Sequence, residues 1–380
     1  MNFNYSEEQL ALQDTLRRFI DKDYRFERRR MLARSEEGFS REVWGQFADL
    51  GLLAMPFPEQ YGGIDGNAVD TMLVMEGLGR GLVLEPYLST VVLAGSLLRD
   101  VGETVQKQAL LPSITSGKLL MAVGLYEPHA RYALNHVTAT AEANANGYLI
   151  SGTKCVVLGG PSADKLIISA RTSGGASDDD GVSLFIVDRT TPGLIVHGYA
   201  THDDTRAADI EMKMVQVAGD ALLGERGKAL RYIERAIDYG ISALCAEAVG
   251  VMTALNEATL EYLKTRKQFG QQIGRFQALQ HRMVDMVIAT EQARSMAILA
   301  AVRVNSTDSA ERKRFAAAAK TYVGLSARTV GQAAVQLHGG MGVVDELIVS
   351  HYFKRLTMII ATLGDTDHHL DRFSTTLLAA

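Results

Sequence analysis

Arg266 and Lys267 stand just before Phe269-Gly270, and Phe276-Gln277 follows within the same short stretch. Further along, QLHGGMG at Gln336–Gly342 closes a helix-patterned run with paired glycines. A fixed cation, a stacking aromatic, amide side chains and a glycine clearing that lets a backbone come close suit a large, flat, diphosphate-bearing ligand. Taken singly, each piece has an ordinary structural role. Basic residues at a helix end offset the macrodipole, and Gly-Gly after a helix is a C-cap. Their joint order and spacing favour the ligand.

Three kinds of element must position these residues. Residues 1–120 read as a helical domain. Ser6-x-x-Gln9 is a capping box, and Val43, Phe47 and Leu50 recur at helical spacing before PEQYGG breaks the pattern. Residues 121–225 turn β-branched and partly alternating (HVTATAEA, YLISGTKCVV, KLIISAR, VSLFIVD), with turn signals at Asn146-Gly147 and TSGGASDDDG. They predict an antiparallel β domain. Residues 226–380 return to the helical period in long segments, roughly 228–264, 276–304, 309–337 and 345–360, joined by short connections. Four such helices predict an antiparallel bundle. The fold class is α+β.

Composition narrows the function classes. A net charge of -5, with basic residues dispersed, gives no support for a nucleic-acid partner. Cys155 and Cys245 sit in apolar surroundings far apart in sequence and are expected to be reduced core residues. The first residues form neither a basic n-region nor an apolar h-region, and no segment reads as long and bare enough to span a membrane. The expectation is a cytoplasmic protein without membrane insertion.

The paired motifs RK-x-FG, FQ and Q-x-x-GG-x-G, in this order and over nearly the whole chain, resemble the acyl-CoA dehydrogenase family. That resemblance implies FAD as cofactor, held across a subunit interface and lying between the β domain and the bundle. It implies Arg266 and Phe269 at the FAD of a neighbouring subunit. Phe276, Gln277 and the strip Gln336, Leu337, Gly339 and Gly340 are implied at the adenosine diphosphate, and Thr366 as a further cofactor contact. The β domain departs from the family pattern. Tyr126–Arg131 (YEPHAR) replaces a Thr-Glu-Pro segment followed by Gly-Ser-Asp, and Val156-Val157-Leu158 replaces Trp-Ile-Thr beside the flavin ring. An aromatic wall and a hydroxyl donor are missing there.

The implied reaction is α,β-desaturation of an acyl-CoA thioester, in which a carboxylate takes the α-proton and flavin N5 takes the β-hydrogen as hydride. The family's glutamate after the last long helix has no counterpart. Counting without gaps from Gly339 puts Leu363 there; counting back from Arg372 puts Asp365 there. The alternative placement on the first bundle helix falls on Gly240. Glu247 is the one charged residue between Asp238 and Glu257, and its helical neighbours are Ala243, Leu244, Gly250 and Val251. A carboxylate on so apolar a face should be desolvated, with a raised pKa, as a proton-abstracting base needs. The competing role is an ion pair across the bundle, with Arg282 or Arg294 as partner. Asp365 is the second candidate base.

A carboxylate in the AEAVG position resembles a bacterial branch of the family that often assembles from two unlike chains. The GD-x-DHHL-x-R ending is similar to the small subunit of pimeloyl-CoA dehydrogenase. The implied partners are an acyl-CoA substrate, an electron-transfer flavoprotein as acceptor, and a homotetramer or a heterotetramer with a second family chain. Small residues at Gly240, Ala243 and Gly250 read equally as a wide acyl pocket for dicarboxylyl or bulky substrates, or as close helix packing. Three functions remain open: a self-sufficient dehydrogenase, a non-catalytic chain that completes an FAD site, and a flavin monooxygenase on the same fold. His368 and His369 point about 100° apart on a helix, which disfavours a metal site.

Overall fold

The computed structural model describes residues 5–378. The chain opens with α1 (Glu7–Asp23), α2 (Phe26–Ala33), α3 (Arg41–Asp49), α4 (Ala68–Arg80), α5 (Gly95–Val101) and α6 (Thr104–Thr115), with a π-helical stretch at Leu88–Ala94 leading into α5. The capping box forms as its residues predict. The Ser6 hydroxyl accepts from the Gln9 amide at 3.2 Å, and the Gln9 side chain accepts from the Ser6 amide at 3.1 Å.

The strands follow: β1 (Met121–Gly124), β2 (Thr140–Asn144), β3 (Gly147–Leu158), β4 (Lys165–Arg171), β5 (Val182–Asp188), β6 (Leu194–Ala200), β7 (Arg206–Val217) and β8 (Leu222–Leu223). They form one sheet in the order β6-β7-β3-β2-β4-β5-β8, with β1 beside β4. Most pairs are antiparallel, and Asn144 faces Gly147 across the β2–β3 turn. The sheet is mixed rather than purely antiparallel, because β1 runs parallel to β4. The whole β2–β3 hairpin lies between them in sequence, so no tight turn forces their directions to oppose.

The last part holds α7 (Leu230–Thr265), the small hairpin β9 (Lys267–Gln268) and β10 (Gln271–Gln272), α8 (Gln277–Arg303), α9 (Ser309–His338), α10 (Ile348–Ala361) and α11 (Thr366–Leu378). The helix α11 adds a fifth to the four read from periodicity. α10 ends at Ala361 with Thr362 extended, and the turn at Leu363-Gly364, with φ of 58° and 109°, then leads into α11.

By packing, the chain divides into two compact units. One gathers α1, α4, α8–α11 and α7 from Ile241 onward; the other gathers α3, α5, α6 and the sheet. The sheet has its own core of Ile150, Val157, Leu166, Ile168, Phe185 and Ile210. Beside that core, Lys154 and Glu127 form a buried ion pair at 2.5 Å. Burial works to raise the Glu127 carboxyl, but Lys154 and the hydroxyl and amide of Thr138 outweigh it and hold the group below its ordinary value.

In the helical unit, α4 and α7 touch backbone to backbone. A Cβ on Gly250 would lie 1.9 Å from the Glu76 carbonyl oxygen, and one on Gly79 would lie 2.2 Å from the Glu247 carbonyl oxygen. The small residue at Gly250 therefore serves close packing of α7 on α4. Contrary to the sequence reading, α7 is long and apolar enough to cross a membrane, yet 94% of that window is buried within the protein, as in a core helix.

Candidate functional site

Arg266 follows the last residue of α7, and the chain then makes the β9–β10 hairpin, with Gln268 paired to Gln271. Phe269 and Gly270 form its tip with φ of 52° and 78°. Two consecutive positive φ values define a type I′ turn, which suits glycine but strains a phenylalanine. Phe269 is also 89% exposed, so it gains little burial to offset that strain. Its ring meets Phe276 edge-on at 6.2 Å, and Gln277 opens α8 at the surface.

The second motif joins this hairpin through two residues absent from the sequence reading. Tyr262, one turn before Arg266, stacks on His338 at the end of α9, with ring centroids 4.3 Å apart. Burial lowers the pKa of His338. Beyond it, Gly339 and Gly340 are exposed, and a Cβ on either would meet nothing within 4 Å. Gln336 faces outward, whereas Leu337 is buried in the helical core and offers no side chain to a ligand. The candidate ligand surface thus consists of Arg266, Phe269, Phe276, Gln277, Gln336, Gly339 and Gly340.

In the sheet, β3 bulges between Lys154 and Val157. Val156 sits at φ 52° with half of its side chain exposed, and its amide donates to Asp209 at 3.0 Å. A β-branched residue there is a true outlier. The Tyr199 hydroxyl donates to the same carboxylate oxygen at 3.1 Å. Burial, then this bond, pushes the Tyr199 hydroxyl up to about 12.

The candidate bases are all engaged. Glu247 is not unpaired: Arg355 of α10 donates to both of its carboxylate oxygens, Nε to Oε1 at 2.6 Å and Nη2 to Oε2 at 2.8 Å. Neither partner named from the sequence is used, since Arg294 pairs with Glu76 and Arg282 is exposed. The observation that singled out Glu247 as a base, an apolar face without a cation, therefore fails.

Asp365 caps α11, its Oδ1 accepting from the His368 amide at 2.8 Å. Leu363 is buried at φ 58°. Its carbonyl accepts from His369 Nε2 at 2.9 Å, which gives His369 a locking role, while His369 Nδ1 is buried without a hydrogen-bond partner. Thr366 does not open to a ligand. It is buried where α11 meets α9, and a Cβ on Gly324 would lie 2.7 Å from its hydroxyl oxygen.

Three family models match in succession: the N-terminal domain of acyl-CoA dehydrogenase over residues 6–118, the middle domain over 122–215 and the C-terminal domain over 227–378. The chain belongs to the acyl-CoA dehydrogenase family. It is 31% identical over 351 residues to a probable acyl-CoA dehydrogenase, YngJ, of Bacillus subtilis (strain 168), covering 91% of each chain. Among solved structures it resembles the ChsE4-ChsE5 complex of Mycobacterium tuberculosis (TM-score 0.90, 27% identity, 100% of both chains). It also resembles an FAD complex of PigA (TM-score 0.91, 27% identity, 99% of both chains).

The family's cofactor is FAD, and the two parts of this acyl-CoA dehydrogenase chain differ in their fit to it. The helical unit fits the diphosphate half. It supplies a cation at Arg266, amides at Gln277 and Gln336, and exposed backbone at Gly339-Gly340 with no Cβ in the way. The sheet does not fit the ring half as relatives do. Val156 and Leu158 stand where the resemblance implies an aromatic wall and a hydroxyl donor, and the Val156 amide at the bulge is already bonded to Asp209.

Proposed function

We propose that this chain takes part in FAD-dependent α,β-dehydrogenation of an acyl-CoA thioester as one subunit of a two-chain assembly, in which the other chain provides the base. The observation that carries this is the engagement of every candidate base: Glu247 by Arg355, Asp365 by its own helix, with Leu363 and Gly240 lacking any acid. Arg266, Phe269, Gln277 and the Gln336–Gly340 strip would hold the diphosphate of an FAD whose ring lies on the neighbouring chain. The flavin, when bound, accepts the β-hydrogen as hydride. This chain's residues bind and orient: Arg266 offsets diphosphate charge, Phe269 covers the cofactor, and the glycines allow close approach. Electrons then leave to an electron-transfer flavoprotein.

The test is to purify the chain alone and with a family chain that carries a glutamate after its last long helix. Each sample is titrated anaerobically with acyl-CoAs while its flavin absorbance is followed. The expected result is bleaching only in the co-purified assembly. Full bleaching of the chain alone would make it a self-sufficient dehydrogenase and overturn the reading. A need for reduced flavin and O2, with a hydroxylated product, would instead make it a monooxygenase.

A further inference from the structure

Lys320 lies in the middle of α9 and is only 2% exposed. Its ammonium donates to three carbonyl oxygens, those of Ile359 at 2.8 Å, Ile360 at 2.9 Å and Gly364 at 3.0 Å. The first two belong to the last turn of α10, whose carbonyls have no partner within the helix. The third lies beyond the helix end. One buried cation therefore stitches the end of α10 to the turn that follows, using all three of its N–H groups.

That turn is held in a conformation its residues do not favour. Leu363 has φ 58°, which costs a residue with a Cβ about 1 kcal/mol. Gly364, at φ 109°, packs so closely that a Cβ would lie 2.3 Å from His369 Nε2. The backbone leaves the turn so that Asp365 caps α11, accepting from His368 by its side chain and from the His369 amide by its carbonyl at 3.1 Å. Lys320 at Gly364 and His369 at Leu363 are the two side-chain contacts that fix the turn's carbonyls in place.

We propose that Lys320 is the positioning residue of the Leu363–Asp365 turn, drawing its carbonyls inward so that the Asp365 carboxylate is directed onto α11. The consequence rests on the proposed function: where relatives carry their base, this chain carries a locked helix cap. Lys320 acts through the turn, by way of its bonds to the Ile359, Ile360 and Gly364 carbonyls.

Local hydrogen exchange, measured by mass spectrometry on the full chain in its flavin-loaded assembly, tests this. In Lys320→Met, the segment 362–370 should exchange faster on the order of tenfold, while α8 and the sheet keep wild-type protection. An unchanged segment, or a uniform rise across α8, α9 and α11, would overturn the proposal. If Lys320→Met does not fold, Lys320→Gln retains two N–H donors and should give a smaller rise confined to the same segment; its absence is equally decisive. Acyl-CoA reduction of the flavin is read in parallel. A loss of kcat at constant KM would place Asp365 in the reaction and sink the two-chain reading, while the exchange result would still judge Lys320 by itself.

Discussion

Arg355 and Glu247 form a two-point ion pair that joins α10 to α7 inside the helical unit, across 108 residues of sequence. Breaking one side of such a pair leaves a buried charge without compensation. Arg355→Met should therefore cost about 3–5 kcal/mol in urea unfolding. Glu247→Gln should be similarly destabilised, whereas the double substitution should recover most of the loss. Flavin reduction per folded assembly should stay within about twofold of wild type in Glu247→Gln. A collapse of turnover with normal folding would restore Glu247 as the base.

The hairpin tip separates binding from stability. Phe269 is almost fully exposed and strained, so Phe269→Gly should leave stability unchanged or raise it by up to about 1 kcal/mol. The same change should lower flavin retention on gel filtration, as should Arg266→Ala. Undiminished flavin in both variants would remove the hairpin from the cofactor site.

His369 makes stability sensitive to acid. Burial, reinforced by the charge of Lys320, pushes its pKa down to about 3, against an ordinary value near 6.5. The folded chain keeps this imidazole neutral, while the unfolded chain takes up a proton as pH falls below about 6.5. Stability is thus fully present above that pH and is lost on acidification, by about 2 kcal/mol between about pH 6.5 and about pH 5. In His369→Gln, that part of the slope should vanish from chemical denaturation measured across the window.

Lys320 acts at the other end of the scale. Burial drives its ammonium down to about 8, outweighing the pull of Cys245 and Asp365. The unfolded chain holds the proton to higher pH, so this group's contribution to stability should improve as pH rises from about 8 toward about 10.5. The stability difference between wild type and Lys320→Met should move in favour of wild type by roughly 3 kcal/mol over that interval. A flat difference would mean that the ammonium stays charged throughout.

Gly250→Ala tests the helix contact. Its added methyl would collide with the backbone carbonyl of Glu76, which cannot rotate away, so the loss should exceed about 2 kcal/mol by thermal unfolding. A tolerated alanine would reopen the wide-pocket reading of this stretch.

Much of this protein is legible in the order of its residues. The 3.6-residue period of the long helices and the alternating β-branched runs fix the order of helices, strands and helices. The Ser6–Gln9 box fixes the start of α1, and RK-x-FG with Q-x-x-GG-x-G fixes the family, because these signals depend on neighbours within a few residues. Lys320 carried the same kind of signal as Glu247, a lone charge with Ala316, Ala317, Val323 and Gly324 around it, and could have been singled out with it. The fate of both charges was decided only by tertiary structure. Whether a carboxylate on an apolar helix face is a base or half of an ion pair depends on what the opposing helix brings, and Arg355 arrives from another part of the chain. Likewise Asp365 is the right residue type near the right place, and only the fold turns it onto α11, through carbonyls gathered by a lysine from α9.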